Sequence, residues 1–358
     1  MGGNPDDPAF IWLVDDAPRS WLGLNFPGSG ISGDNPDQIY RTAHLDGSKR
    51  YLIEGEVPLP SQFRTTKLIF SFIREQGPGL LPLQESGKVF LGNQLATLTE
   101  KDLQISSEGR FSFIAGGPGS TDHDHHVALE PGPVFLLVRD IMSDWKQRPS
   151  KLSIRVLDSN HASAPLGSDI RQRVLEHLPA WLRYWGTYRN RFLGGIQPNS
   201  IKGPFSREGR WGCLAGVRFH LKPDEAVLLK TMTGNAPYTG IHVQDPWMIV
   251  PDARRYQSSL NLSQARADTD GSYTYVACPS DPGVANWLDT AGLREGILFI
   301  RWIGLPPDWR ADELLRDFRI INLSELANGG HAAVPRVNSS ERRAQLTRRG
   351  LEYDIRLH

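Results

Sequence analysis

Apolar and polar residues alternate in short runs along most of the chain, and Gly, Pro, Asn or Asp closes each run. The segments KRYLIEGEV (49–57), KLIFSFIRE (67–75), EAVLLKTMT (225–233) and YTGIHVQDPW (238–247) follow this two-residue period, which predicts strands. One stretch breaks the pattern. In 168–191, Ile170, Val174, Leu178 and Leu182 recur every four residues with Trp181 and Trp185 beside them, which predicts a helix. Ser168 is placed to cap it, and Pro179 to kink or end it. Residues 310–326 read as a short helix and 339–355 as an amphipathic tail.

The strand pattern occurs twice. Residues 98–140 (LTEKDLQISSEGRFSFIAG through VFLLVRD) and 260–302 (LNLSQARADTDGSYTYVAC through ILFIRW) superpose without a gap at a shift of 162 (260 − 98). Leu98 then falls on Leu260, Gly109 on Gly271, Phe111 on Tyr273, Phe113 on Tyr275 and Arg139 on Arg301. In both copies a Glu-Gly or Asp-Gly turn precedes alternating aromatics, as in the second strand of a hairpin. The expectation is a mainly β protein. It has two tandem related jelly-roll or β-sandwich units, a helical insert between them and a short helical C-terminus. The boundaries read as 1–160 and 206–330 for the units, 161–205 for the insert and 331–358 for a tail.

Composition narrows the class. Lys plus Arg equals Asp plus Glu at 40 each, so no basic excess draws the chain to nucleic acid or to a membrane surface. Gly (35) and Pro (26) suit a turn-rich protein, and ten Trp suit sandwiches that bury rings or line an apolar pocket with them. Cys213 and Cys278 form neither a disulfide framework nor a metal knuckle. With no basic-then-apolar leader and no long apolar run, the expected location is the cytoplasm. The oligomeric state is left open, a homo-oligomer included.

Tyr256 to Trp302, YQSSLNLSQARADTDGSYTYVACPSDPGVANWLDTAGLREGILFIRW, resembles the bacterial "domain of unknown function 1214" family. The matching features are a serine–leucine–asparagine run, a turn before a strand, a proline–glycine turn into Asn-Trp-Leu, and a closing strand with Arg-Trp. Upstream, GDNPDQIYRTAHLDGSKRYLIEG (33–55) is similar to the segment that opens many members. The resemblance implies a jelly-roll-like β domain and brings no catalytic residues with it.

The candidate chemistry lies in two places. In the first copy, GSTDHDHHVALE (119–130) sets His123, Asp124, His125 and His126 on Ala285, Asn286, Trp287 and Leu288 of the second copy at the same shift. Asp122, His123, His125 and His126 are an alternative set of metal ligands; without metal, His123, Asp124 and His125 are candidate proton carriers. In the second copy, alternation places Tyr238, Gly240, His242 and Gln244 on one strand face. That face either meets solvent or lines a cavity, with His242 and Tyr238 catalytic and Gln244, Trp247 and Trp287 binding substrate. Trp287 also reads as a plug at the end of the sandwich. Arg139 and Arg301, each near the end of its strand, read as architectural clamps, and Arg342, Arg343, Arg348 and Arg349 as a solvated face.

There is no phosphate-binding loop, because AGGPGS lacks the lysine, and there is no nucleophile elbow. The expected function is therefore that of a cofactor-independent enzyme, a hydro-lyase or isomerase acting on a small, mostly apolar alcohol such as a terpenoid or steroid. A non-catalytic ligand-binding or assembly protein is the second reading, and a metal-dependent hydrolase built on 122–126 the third.

Overall fold

The structure is a computed structural model that describes residues 4–14, 19–21, 23–26, 30–31, 33–75, 94–118, 125–157, 167–193, 195–206, 211–328 and 334–355. After β1 (Ile11–Trp12) and the small hairpin of β2 (Arg19–Trp21) and β3 (Leu24–Phe26) come the strands of the first unit. These are β4 (Gln38–Asp46), β5 (Tyr51–Glu56), β6 (Lys67–Arg74), β7 (Gln94–Thr99), β8 (Arg110–Ala115), β9 (His126–Val127), β10 (Pro133–Ile141) and β11 (Lys151–Val156). Helix α1 (Gly167–Leu193) follows, with Pro179 inside it rather than at its end.

The second unit is built from β12 (Ser200–Ser206), β13 (Gly212–His220), β14 (Glu225–Thr231), β15 (Tyr238–Gln244), β16 (Ser259–Asn261), β17 (Tyr273–Cys278), β18 (Trp287–Asp289), β19 (Glu295–Ile303) and β20 (Leu315–Asn322). The short helices α2 (Ala311–Leu314) and α3 (Leu323–Ala327) flank β20, and α4 (Ser339–Ile355) closes the described chain. Residues 310–326 are thus a strand between two short helices rather than one short helix. In LRDFRIIN, Phe318 and Ile320 pack on the sandwich core, so period two wins over the charged helix-like start.

Each unit is a β-sandwich. The first has a five-stranded sheet ordered β1-β4-β10-β6-β7 and a four-stranded sheet ordered β11-β5-β8-β9. The second has β12-β13-β19-β15-β16 and β20-β14-β17-β18, the same order strand for strand. Registers repeat as well. Leu98 pairs with Phe70, which pairs with Val138; Leu260 pairs with Ile241, which pairs with Ile300. The one parallel pairing in each four-stranded sheet falls at the same place, β8 with β9 and β17 with β18.

Alternation along the strands sends one side chain in two into each core. In the first unit Phe70 meets the edges of Phe111 and Phe113, at ring separations of 6.1 and 5.1 Å, among Ala43, Leu45, Leu136 and Val138. In the second, Val217, Phe219, Ile241, Val243, Ile300 and Trp302 fill the same layer. Each such side chain contributes about 1.5–3 kcal/mol by leaving water.

The unit boundaries differ from the expected ones. The chain divides into Met1–Asp15, Ile39–Ile141 and Arg148–Phe192 on one side, and Asp16–Gln38, Met142–Gln147 and Leu193–His358 on the other. Two early segments and the C-terminal tail therefore belong to the second unit. The tail is held by buried arginines rather than a solvated face: Arg342 stacks on Trp287 at 5.1 Å and pairs with Asp281 at 2.9 Å. Arg349 stacks on Trp145 at 4.3 Å and donates to the Ala253 and Ser259 carbonyls. Arg343 and Arg348 do face solvent.

Candidate functional site

Ile241 and Val243 of β15 point into the core, so Tyr238, Gly240, His242 and Gln244 point outward, as alternation predicts. The outward face does not meet solvent. It carries Phe299 and Arg301 from β19 and Ser259 and Asn261 from β16, all buried, and residues 33–37 of the same unit bond to it.

These bonds form a closed polar network. Asp37, 1% exposed, accepts from Trp145 Nε1 at 2.6 Å, Tyr238 Oη at 2.8 Å and Asn261 Nδ2 at 2.9 Å. Asn35 Nδ2 donates to Tyr238 Oη at 2.9 Å, so a single phenol oxygen links two residues of the early segment. Gln244 Nε2 donates to the Asp34 carbonyl at 2.9 Å, and Arg301 clamps the carbonyls of Gly33 (2.6 Å) and Asp34 (3.2 Å). Gly33, at φ +82°, holds a backbone conformation that suits glycine. Gly240 is needed for another reason: a Cβ there would collide with Tyr238 Oη and Asp37 Oδ2. Burial and the negative charge of Asp37 push the Tyr238 phenol well above its ordinary value.

His242 lies within the same face. It is wholly buried, 6.0 Å from the Phe299 ring, and beyond a contact with the Asp34 backbone neither ring nitrogen makes a well-formed hydrogen bond among the described residues. Burial, and then the charge of Arg301, lower its pKa well below the ordinary value; the Asp34 backbone acts weakly the other way. The ring is therefore neutral, with one nitrogen able to donate and one to accept. On the same face Gln244 Oε1 and Arg301 Nε also lack partners among the described residues. Buried polar atoms are nearly always paired, so three such groups on one sheet face are exceptional.

The other candidates stand apart from this cluster. Trp247 is 56% exposed, because Asp245 folds the chain after β15 into a turn that accepts the Trp247 and Ile249 amides. Trp287 packs on the outer face of the four-stranded sheet against Val276, Cys278 and Ile321, and donates to the Cys278 carbonyl at 2.9 Å. It thus packs on the opposite side of its sheet from the sandwich core.

Asp122, His123 and Asp124 lie outside the described residues. His126 pairs across from Ile114, where Trp287 pairs from Val276, so the copies align there one residue away from the expected match of His125 with Trp287. The first copy has one more residue in that connection. His126 Nε2 contacts the Gly116 carbonyl at 2.8 Å and His125 is half-buried. Among the described residues no group of three or more side chains is arranged to hold a metal.

Arg139 donates to Ser71 Oγ at 2.9 Å. Asn286 donates to the Arg266 and Thr274 carbonyls. Missing from the sequence reading were Asp34, Asn35, Asp37, Trp145 and Asn261. For Asp34, Asn35 and Asp37 the signal was the Gly-Asp-Asn-Pro-Asp run at 33–37, three polar side chains in a turn whose partners lie 108 to 224 residues away.

The fold is similar to that of an uncharacterized protein from Burkholderia cenocepacia, with a TM-score of 0.70 and 22% identity over 90% of this chain and 83% of that one. A protein from Vibrio parahaemolyticus aligns with a TM-score of 0.46 and 12% identity over 81% of this chain and 90% of that one. No family model and no curated protein matches the chain.

Proposed function

We propose that the second unit binds a small, mostly apolar alcohol and performs acid–base chemistry on it, as a hydro-lyase or isomerase does, with His242 as the proton carrier. The observation that carries this reading is the fully buried, neutral His242 ring, which no side chain among the described residues engages by a hydrogen bond. A hydroxyl both donates and accepts, so it suits a site offering Gln244 Oε1 as acceptor, Arg301 Nε as donor and an imidazole that is both. A dry setting strengthens each of these contacts and keeps the base from being levelled by water. Tyr238, already committed to Asp37, positions the face and does not carry the proton. The shared strand order and registers support reading the two units as copies of one module, in keeping with the family resemblance of 256–302.

The test is incubation of the purified protein with a panel of terpenoid and steroid alcohols, with product analysis and thermal shift. Turnover of one alcohol is expected, falling by about a hundredfold or more in His242→Gln. Equal turnover in wild type and variant removes His242 from the chemistry. A ligand that stabilises the protein and is recovered unchanged favours the second reading, a non-catalytic binding protein, which the structural engagement of Tyr238, Gln244 and Arg301 also supports.

A further inference from the structure

Helix α1 presents an apolar surface that nothing in the site uses. Leu175, Leu178, Trp181 and Leu182 are 59%, 36%, 41% and 54% exposed. At about 100° per residue they fall within one arc of about 120°. Tyr184 is the one buried side chain among those described on the helix, and it lies outside that arc.

The charges of this helix also differ from the chain's average. Its sequence holds Arg171, Arg173, Arg183, Arg189 and Arg191 against Asp169 and Glu176, a net +3 (5 − 2) in a protein of net charge zero. Arg171 and Arg183 are exposed. The balance that argues against a membrane surface is thus a whole-chain average, and it conceals a local excess. Pairing two copies through this helix would set one arginine-rich segment against another, whereas an anionic surface complements it.

We propose that α1 docks on an anionic lipid surface, with its leucine–tryptophan stripe in the boundary between headgroups and acyl chains and the exposed Arg171 and Arg183 at the phosphates. The helix lies on the surface rather than spanning it, since no described helix is long and apolar enough to cross a membrane.

The test is flotation of the full chain with phosphatidylcholine vesicles, with and without phosphatidylglycerol, at low and high salt. Binding is expected only to the phosphatidylglycerol vesicles, and is released by salt. The triple variant L178A/W181A/L182A should partition at least about tenfold more weakly, with its near-ultraviolet circular dichroism unchanged. Should that variant fold poorly, R171E/R183E serves instead and should abolish the dependence on anionic lipid. The proposal is overturned by absence of flotation, by equal partition of wild type and variants, or by a dimer in light scattering that the triple variant dissociates.

Discussion

His126 and Trp287 occupy equivalent places in the two units and do the same work. Each ring nitrogen contacts a carbonyl at the end of the equivalent strand, Gly116 just after β8 at 2.8 Å and Cys278 closing β17 at 2.9 Å, positions 162 residues apart (278 − 116). A carbonyl oxygen only accepts, so the His126 nitrogen donates as the indole does. The histidine is a smaller stand-in for a tryptophan donor, and its Nε2 is spoken for.

Removing that donor leaves the Gly116 carbonyl short of a partner. His126→Ala should therefore destabilise the protein by about 1–3 kcal/mol. Urea denaturation followed by circular dichroism checks this; an unchanged midpoint would show that the bond contributes nothing.

The network on Asp37 is more costly to open. Asp37→Ala strands the Trp145, Tyr238 and Asn261 donors in a buried site, and about 3–5 kcal/mol should be lost. Gly240→Ala attacks the same place by crowding Tyr238 and Asp37, and should cost about 1–3 kcal/mol. Calorimetry of both variants tests the pair: if Asp37→Ala proves the milder, the carboxylate is not the hub.

Much of this architecture was legible beforehand because it is periodic. The alternation in YTGIHVQ put Tyr238, His242 and Gln244 on one face, and the 162-residue shift carried Leu98 onto Leu260 and Arg139 onto Arg301. What the pattern could not reveal was what covers that face. Asp37 and Tyr238 are 201 positions apart, and a turn-forming Asn-Pro-Asp looks the same in sequence whether it is solvated or buried. Likewise the arginine pairs of α4 read as surface until Trp287 and Trp145 were seen beneath them, and one extra residue before β9 shifted the histidine match.

Stability should depend on pH through His242. The unfolded ring ionises near 6.5, while the folded ring is held neutral to well below that. Below 6.5 the unfolded chain binds a proton that the folded chain refuses, so this contribution is complete above 6.5 and declines as pH falls, by up to about 1.4 kcal/mol per pH unit until the folded value is reached. Urea midpoints for wild type and His242→Gln across that window should diverge, the wild type losing more. Parallel curves would mean that the ring protonates equally in both states.

Both thiols should be inert in the native state. Burial pushes Cys213 and Cys278 up to about 12, so almost no thiolate exists near neutrality. Iodoacetamide followed by mass spectrometry should label neither until denaturant is added; rapid native labelling of either would contradict its burial.

The central claim is an imidazole kept neutral inside a polar sheet face, and nitrogen-15 NMR of the histidine rings from roughly pH 5 to 8 observes it directly. The account predicts that the His242 ring-nitrogen shifts stay at neutral-imidazole values throughout, while exposed histidines titrate. A His242 ring that protonates near 6.5 with them would contradict it.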